Sequence, residues 1–122
     1  MTVGRHLILD LYGCDCPSLL SSEEALKATL GAASRKAGAT VLSYHSHPFI
    51  DHETGETAWS ILVILEESHL GCHVWKAQKF VSMDLYVCGP DADPMKALSY
   101  LLAMFNPVDY VMSFRIRGDK QV

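Results

Sequence analysis

Residues 57–88 read TAWSILVILEESHLGCHVWKAQKFVSMDLYVC. Thr57 to Glu66 is a nearly continuous apolar run, the pattern of a strand buried on both faces. His69 to Trp75 then alternates, with His69, Gly71, His73 and Trp75 on one face. Lys79 to Val87 alternates as well. Val81, Met83, Leu85 and Val87 point one way; Phe80, Ser82, Asp84, Tyr86 and then Cys88 point the other. The breaks between these runs are too short for a crossover helix, so the strands are joined as hairpins and pair antiparallel.

Working outward, His6 to Tyr12, Ala39 to His47 and Val108 to Ile116 also read as strands. Two helices separate them. Ser21 and Glu24 fit a capping box, and Leu26, Leu30, Ala33 and Ala37 recur at helical spacing before a Gly38 stop. Asp93-Pro94 opens the second helix, Leu98, Leu101, Leu102 and Phe105 form its apolar stripe, and Asn106-Pro107 ends it. The order β-α-β-β-β-β-α-β predicts one α+β domain over residues 1–122, an antiparallel sheet with two helices on one face. Ile50 to Glu56, polar and glycine-containing, is expected to be an exposed hairpin loop.

The chain has 122 residues, 49% hydrophobic and 20% charged, which excludes a disordered chain. The longest apolar run, Ile61 to Leu65, is far short of the ~20 residues that cross a bilayer. A net charge of −4 without a basic cluster disfavours nucleic-acid binding. Met1 to Asp10 lacks the apolar core of a secretory signal, so a cytoplasmic protein is expected. There the thiols of Cys14, Cys16, Cys72 and Cys88 stay reduced, which points to catalysis or metal rather than disulfides. The apolar content is more than one small domain covers alone.

The predicted sheet face opposite the helices mixes His69, His73, Asp84, Tyr86 and Cys88 with Phe80 and Trp75. By spacing alone, Ser68-His69 reads as a polar hairpin turn, because neighbours on a strand face opposite ways. His73 and Cys88 lie on the mixed face of adjacent strands, where a hairpin is expected to bring them close. A thiol near an imidazole serves as acid or nucleophile, and a satisfied histidine with an inert cysteine is equally compatible with the pattern. His45 and His47, with Cys14 and Cys16, lack the spacing of a zinc site, and no metal is expected. Glycine-rich phosphate and dinucleotide motifs are absent.

Several segments in chain order carry a resemblance: Gly4-Arg5-His6-Leu7, Tyr12-Gly13-Cys14-Asp15, Glu67-Ser68-His69-Leu70, His73-Val74-Trp75, Asp84, Cys88-Gly89 and Asp93-Pro94-Met95-Lys96-Ala97. Together they resemble the short prokaryotic S-adenosylmethionine decarboxylases, self-processing pyruvoyl enzymes of spermidine synthesis. The resemblance runs from Gly4 to about Gly118. It implies autocatalytic cleavage between Glu67 and Ser68, giving a β chain of residues 1–67 and an α chain of residues 68–122. Ser68 would become the pyruvoyl group, the covalent cofactor that forms a Schiff base with the substrate amine. His73 would act as the processing base, Ser60 as a processing helper, Cys88 as the proton donor in turnover, and Phe49 as an aromatic that stacks on adenine. A homodimer with sheets stacked face to face, an α/β/β/α sandwich, is implied as well.

One departure bears on the substrate. The family's usual Trp-Pro-Glu is Trp75-Lys76-Ala77 here. That glutamate binds the ribose hydroxyls, a contact worth ~2–4 kcal/mol at ~1.5–3 per charged hydrogen bond. Asp51, Glu53 or Glu56 of the loop is a possible replacement. Two alternatives therefore stand beside S-adenosylmethionine: the same machinery acting on arginine or ornithine, or a non-catalytic regulatory subunit.

Overall fold

The computed structural model describes residues 3–66 and 68–120. Its six strands are β1 (Gly4–Tyr12), β2 (Val41–Ile50), β3 (Thr57–Leu65), β4 (Ser68–Trp75), β5 (Phe80–Cys88) and β6 (Asp109–Arg117). They form one sheet in the order β2-β3-β4-β5-β1-β6, and every neighbouring pair is antiparallel. The hairpin-linked run β2 to β5 is the meander expected from residues 57–88. β1 then lies against β5, and β6 closes the far edge.

The helices are α1 (Pro17–Leu20), α2 (Glu23–Lys36) and α3 (Leu98–Phe105), the last preceded by a 3-10 turn over Pro94–Ala97. Their caps follow local chemistry. The Asp93 carboxylate accepts from the Met95 backbone N–H at 3.0 Å, and Asn106 ends α3 with a left-handed φ of 45°. Gly38 follows α2 at φ +90°, a conformation glycine adopts without a Cβ clash.

Helix α2 starts one residue later than the capping-box reading. Ser22, not Ser21, is its N-cap, with Oγ accepting from the Ala25 N–H at 3.1 Å. Pro17 starts a separate helical turn, and Ser21 closes it by donating to the Pro17 carbonyl at 2.7 Å. β2 also runs past His47 through Pro48. A proline fits there because β2 is an edge strand.

All helices pack on one side of the sheet. Leu9, Val63, Leu70, Val81 and Leu85 point to that side and share one buried core with Leu26, Leu30, Leu101 and Phe105. Among the described residues, nothing forms a second layer on the other side. This corrects the doubly buried reading of β3: Leu62 is 40% exposed, because its alternate residues face that open side. The loop after β2 differs from expectation too. Asp51 is buried, and its carboxylate accepts from the Glu53 N–H, the Thr54 hydroxyl and the Gln78 amide. No described helix is long and apolar enough to cross a membrane.

Candidate active site

Antiparallel register puts directly paired residues on the same face. One row across the open face is therefore His47, Ser60, His73, Ser82 and Asp10. The next is His45, Leu62, Gly71, Asp84 and Ile8, and the third is Ser43, Ile64, His69, Tyr86 and His6. These rows sort the candidate residues into two groups.

The first group centres on Ser60 and His73. Ser60 Oγ lies 3.0 Å from His73 Nδ1, a hydrogen bond set by their direct pairing across β3 and β4. A cavity of about 480 Å³ opens beside them, lined in part by His45, His47, Leu62 and Gly71. Beyond it, Phe49 meets the Trp75 ring edge-on at 6.2 Å, and Trp75 stacks on Phe80 at 5.2 Å. Phe80 stacks in turn on Tyr12 at 5.1 Å. Such an aromatic shelf presents flat apolar faces to a ligand.

The second group gathers at the opposite end. Ser68 is the first residue of β4, at the hairpin from β3, and its Oγ donates to the Glu66 carbonyl at 3.1 Å. Glu67, the other half of the proposed cleavage bond, lies outside the described residues. His69 pairs with Tyr86, so Ser68, the residue before it, lies at the Cys88 end of β5, in phase with the helix side while Cys88 is in phase with the open side. The Cys88 side chain beside Tyr86, more than burial, raises the tyrosine pKa above its ordinary value. Tyr86 reaches this position by lying across Gly4, where a Cβ would clash with its ring. Arg117 stacks over Tyr86 at 4.7 Å.

The hairpin does not bring His73 to Cys88. His73 pairs with Ser82, six residues before Cys88 on β5, which is about 20 Å along a strand. His73 is likewise five residues from Ser68 along β4, about 16 Å. The sequence places His73 and Cys88 on one face and Ser68 on the other, and the register sets how far apart they fall.

A further constellation was missed in the sequence. His6 and His69 both direct Nε2 at the same oxygen, Asp84 Oδ2, at 2.8 and 2.7 Å. Only the β1–β5–β4 register joins them, and sequence spacing carries no trace of it. The imagined pairing of His45 and His47 with Cys14 and Cys16 does not form. Cys14 belongs to the buried helix-side core, while both histidines sit on the open face of an edge strand.

The model of the S-adenosylmethionine decarboxylase family matches residues 5–118. The chain belongs to that family. The S-adenosylmethionine decarboxylase proenzyme of Thermosipho melanesiensis is 35% identical over 100 residues, covering 82% of this chain and 72% of the relative. The arginine decarboxylase proenzyme of Ignicoccus hospitalis is 32% identical over 116 residues, covering 95% and 78%. The crystal structure of the adenosylmethionine decarboxylase from Aquifex aeolicus superposes with a TM-score of 0.81 at 25% identity, covering 98% of this chain and 94% of the other.

S-adenosylmethionine decarboxylases of this kind are pyruvoyl enzymes made as proenzymes, with the pyruvoyl group derived from an internal serine. The residues here fit that group. Ser68 is only half-buried at a strand end, its hydroxyl donates to the Glu66 carbonyl, and Cys88 ends the neighbouring strand at the same end of the sheet.

Proposed function

We propose that the chain cleaves itself between Glu67 and Ser68 and then decarboxylates S-adenosylmethionine, supplying the aminopropyl donor for spermidine. The placement of Ser68 at the open end of β4, beside the Tyr86–Cys88 pair, carries this reading. In that cleavage the Ser68 hydroxyl, which donates to the Glu66 carbonyl in the uncut chain, would attack the carbonyl of Glu67. Attack there exchanges the amide for an ester. Loss of the Ser68 α-proton then expels the Glu67 carboxylate. The dehydroalanine left behind tautomerises to an imine, water hydrolyses it with loss of ammonia, and the pyruvoyl group so formed would supply an electron-withdrawing carbonyl for the electrons released with CO₂.

Cys88 would hold the proton returned to the substrate carbon. Tyr86 stands on the same open face two residues before Cys88, where its hydroxyl is a candidate partner for the sulfur. Phe49 and the Trp75–Phe80 stack offer an apolar shelf for adenine. A thiol donor works only while reduced, so we assign the enzyme to the cytoplasm.

His73 is too far from its own Ser68 to take that α-proton. A second copy, stacked sheet on sheet in the reverse direction, would set the Ser60–His73 pair of one protomer over the Ser68–Cys88 end of the other. The same stacking would cover Ile8, 47% exposed, and Leu62. We therefore propose a homodimer, the α/β/β/α sandwich, with each site shared between protomers.

Ala77 keeps a second substrate in view. The ribose carboxylate is absent at that position, and a similar proenzyme is an arginine decarboxylase. Intact mass under native and denaturing conditions, with CO₂ release from S-adenosylmethionine, arginine and ornithine, tests both readings. The expected result is two pieces split before Ser68, none in Ser68→Ala, and release from the nucleoside. Release from an amino acid alone would transfer the assignment to that substrate. A chain that stays whole would end the decarboxylase reading.

A further inference from the structure

We propose that Asp84 is a positioning residue: it clamps the start of β4 by accepting hydrogen bonds from His69 and His6 on one carboxylate oxygen. The proposal deepens the reading of Ser68, because the pyruvoyl group would be attached to the backbone nitrogen of His69. Cleavage removes the covalent link between β3 and β4 at that point. A strand end held only by its ladder frays readily. The clamp ties it to β5 through Asp84 and to β1 through His6, which belongs to the other polypeptide piece.

The geometry is specific. Asp84 Oδ2 lies 2.7 Å from His69 Nε2 and 2.8 Å from His6 Nε2. A carboxylate oxygen only accepts, so both rings carry a proton on Nε2. The Nδ1 of His6 then accepts from Arg117 Nη1 at 3.3 Å, which fixes the same tautomer from the other side. Gly71 stands directly opposite Asp84 and makes room for its carboxylate. A Cβ at that position would lie 2.9 Å from Asp84 Oδ1.

The three ligand-type atoms lie within 4.8 Å of one another, so a metal ion is the competing occupant. The nitrogen–oxygen separations argue for hydrogen bonds. Two ligand atoms on one tetrahedral zinc stay roughly 3.4 Å apart at bond lengths of ~2.1 Å.

The full-length protein, both self-processing and as Ser68→Ala, is compared with its Asp84→Ala, Asp84→Asn and Gly71→Ala variants. Imidazole ¹⁵N spectra read the tautomers, amide exchange reads the start of β4, and steady-state kinetics reads the consequence. Wild type should show Nε2–H on both rings. Asp84→Ala and Gly71→Ala should free the His69 tautomer and speed exchange at His69 to Cys72 by about tenfold, with protection elsewhere unchanged. They should lower kcat by about tenfold and leave KM within about twofold, the pattern of lost positioning rather than lost binding. Asp84→Asn, which keeps an acceptor, should recover much of the loss. Unchanged tautomers and exchange in Asp84→Ala would overturn the clamp. So would protection lost across the whole sheet, or stoichiometric binding of added zinc or nickel to the wild type. A wild-type chain that never cleaves would remove the decarboxylase reading alone, since the spectra and exchange of the uncut chain still decide the clamp.

Discussion

The four cysteines sit in different surroundings, and burial decides what each thiol does. Cys14 is closed off beneath the helices, and burial, with Cys16 adding to it, pushes its pKa up to about 12. Cys72 is fully enclosed and raised for the same reason, first by burial and then by Cys14. Cys16 is raised by burial and then by Asp15. Cys88 is half-buried on the open face, near Tyr86. A thiol raised on folding holds its proton longer in the folded chain than in the unfolded one. Its contribution is therefore full below the unfolded thiol range, about pH 8.5, and is lost as pH climbs toward about 12. Urea midpoints should fall as pH rises from 9 to 11, and Cys14→Ala should fall less steeply than wild type. Equal slopes would show that the thiol is not held protonated by the fold. The sequence supplied the residue types for this and for the site. It did not supply the partners of Asp84 or Tyr86, because those depend on which residue faces which across three strands.

At the scale of elements, a period of two marked β4 and β5, a continuous apolar run marked β3, and a period of about 3.6 marked both main helices. The ends were less legible. Ser21 and Ser22 are the same residue type, and each stands near the start of the apolar repeat, so local pattern does not separate them. The choice falls to Ser22 because Pro17 begins an earlier turn that uses Ser21. Ser22→Ala should cost about 1 kcal/mol of stability, and Ser21→Ala distinctly less, in urea titrations. A larger loss at Ser21 would return the cap to the simpler reading. The loop after β2 looked like an ordinary polar turn. Three donors from two segments converge on Asp51, and one of them is Gln78, which sequence distance hides.

At the scale of the whole molecule, the proposed cut falls between strands that remain interleaved. The first piece would supply β1, β2 and β3, and the second β4, β5 and β6. In the order β2-β3-β4-β5-β1-β6, three of the five ladders then join one piece to the other. Cleavage at the β3–β4 hairpin breaks one covalent bond and leaves those ladders in place. The sharing of sites between protomers is open to a direct test. A His73→Ala chain should fail to cleave alone and should be cleaved when co-expressed with a Ser68→Ala chain, whose His73 would serve it across the interface. The readout is the mass of the piece beginning at residue 68. No cleavage in the mixed dimer, or efficient cleavage of His73→Ala alone, would refute the shared site.

The sequence by itself determined the α+β class, the side that the alternating strands β4 and β5 turn to the helices, and the ordered motifs that mark the family. Those features are local: periodicity, caps and short residue strings survive without knowledge of the fold. Distance was decided only by tertiary structure. Register put Ser60 against His73, carried Ser68 to the Cys88 end, and set His73 about 20 Å from Cys88. It also gathered His6, His69 and Asp84 from three strands. Alternation tells which face a side chain occupies, whereas the pairing of strands tells what it meets there.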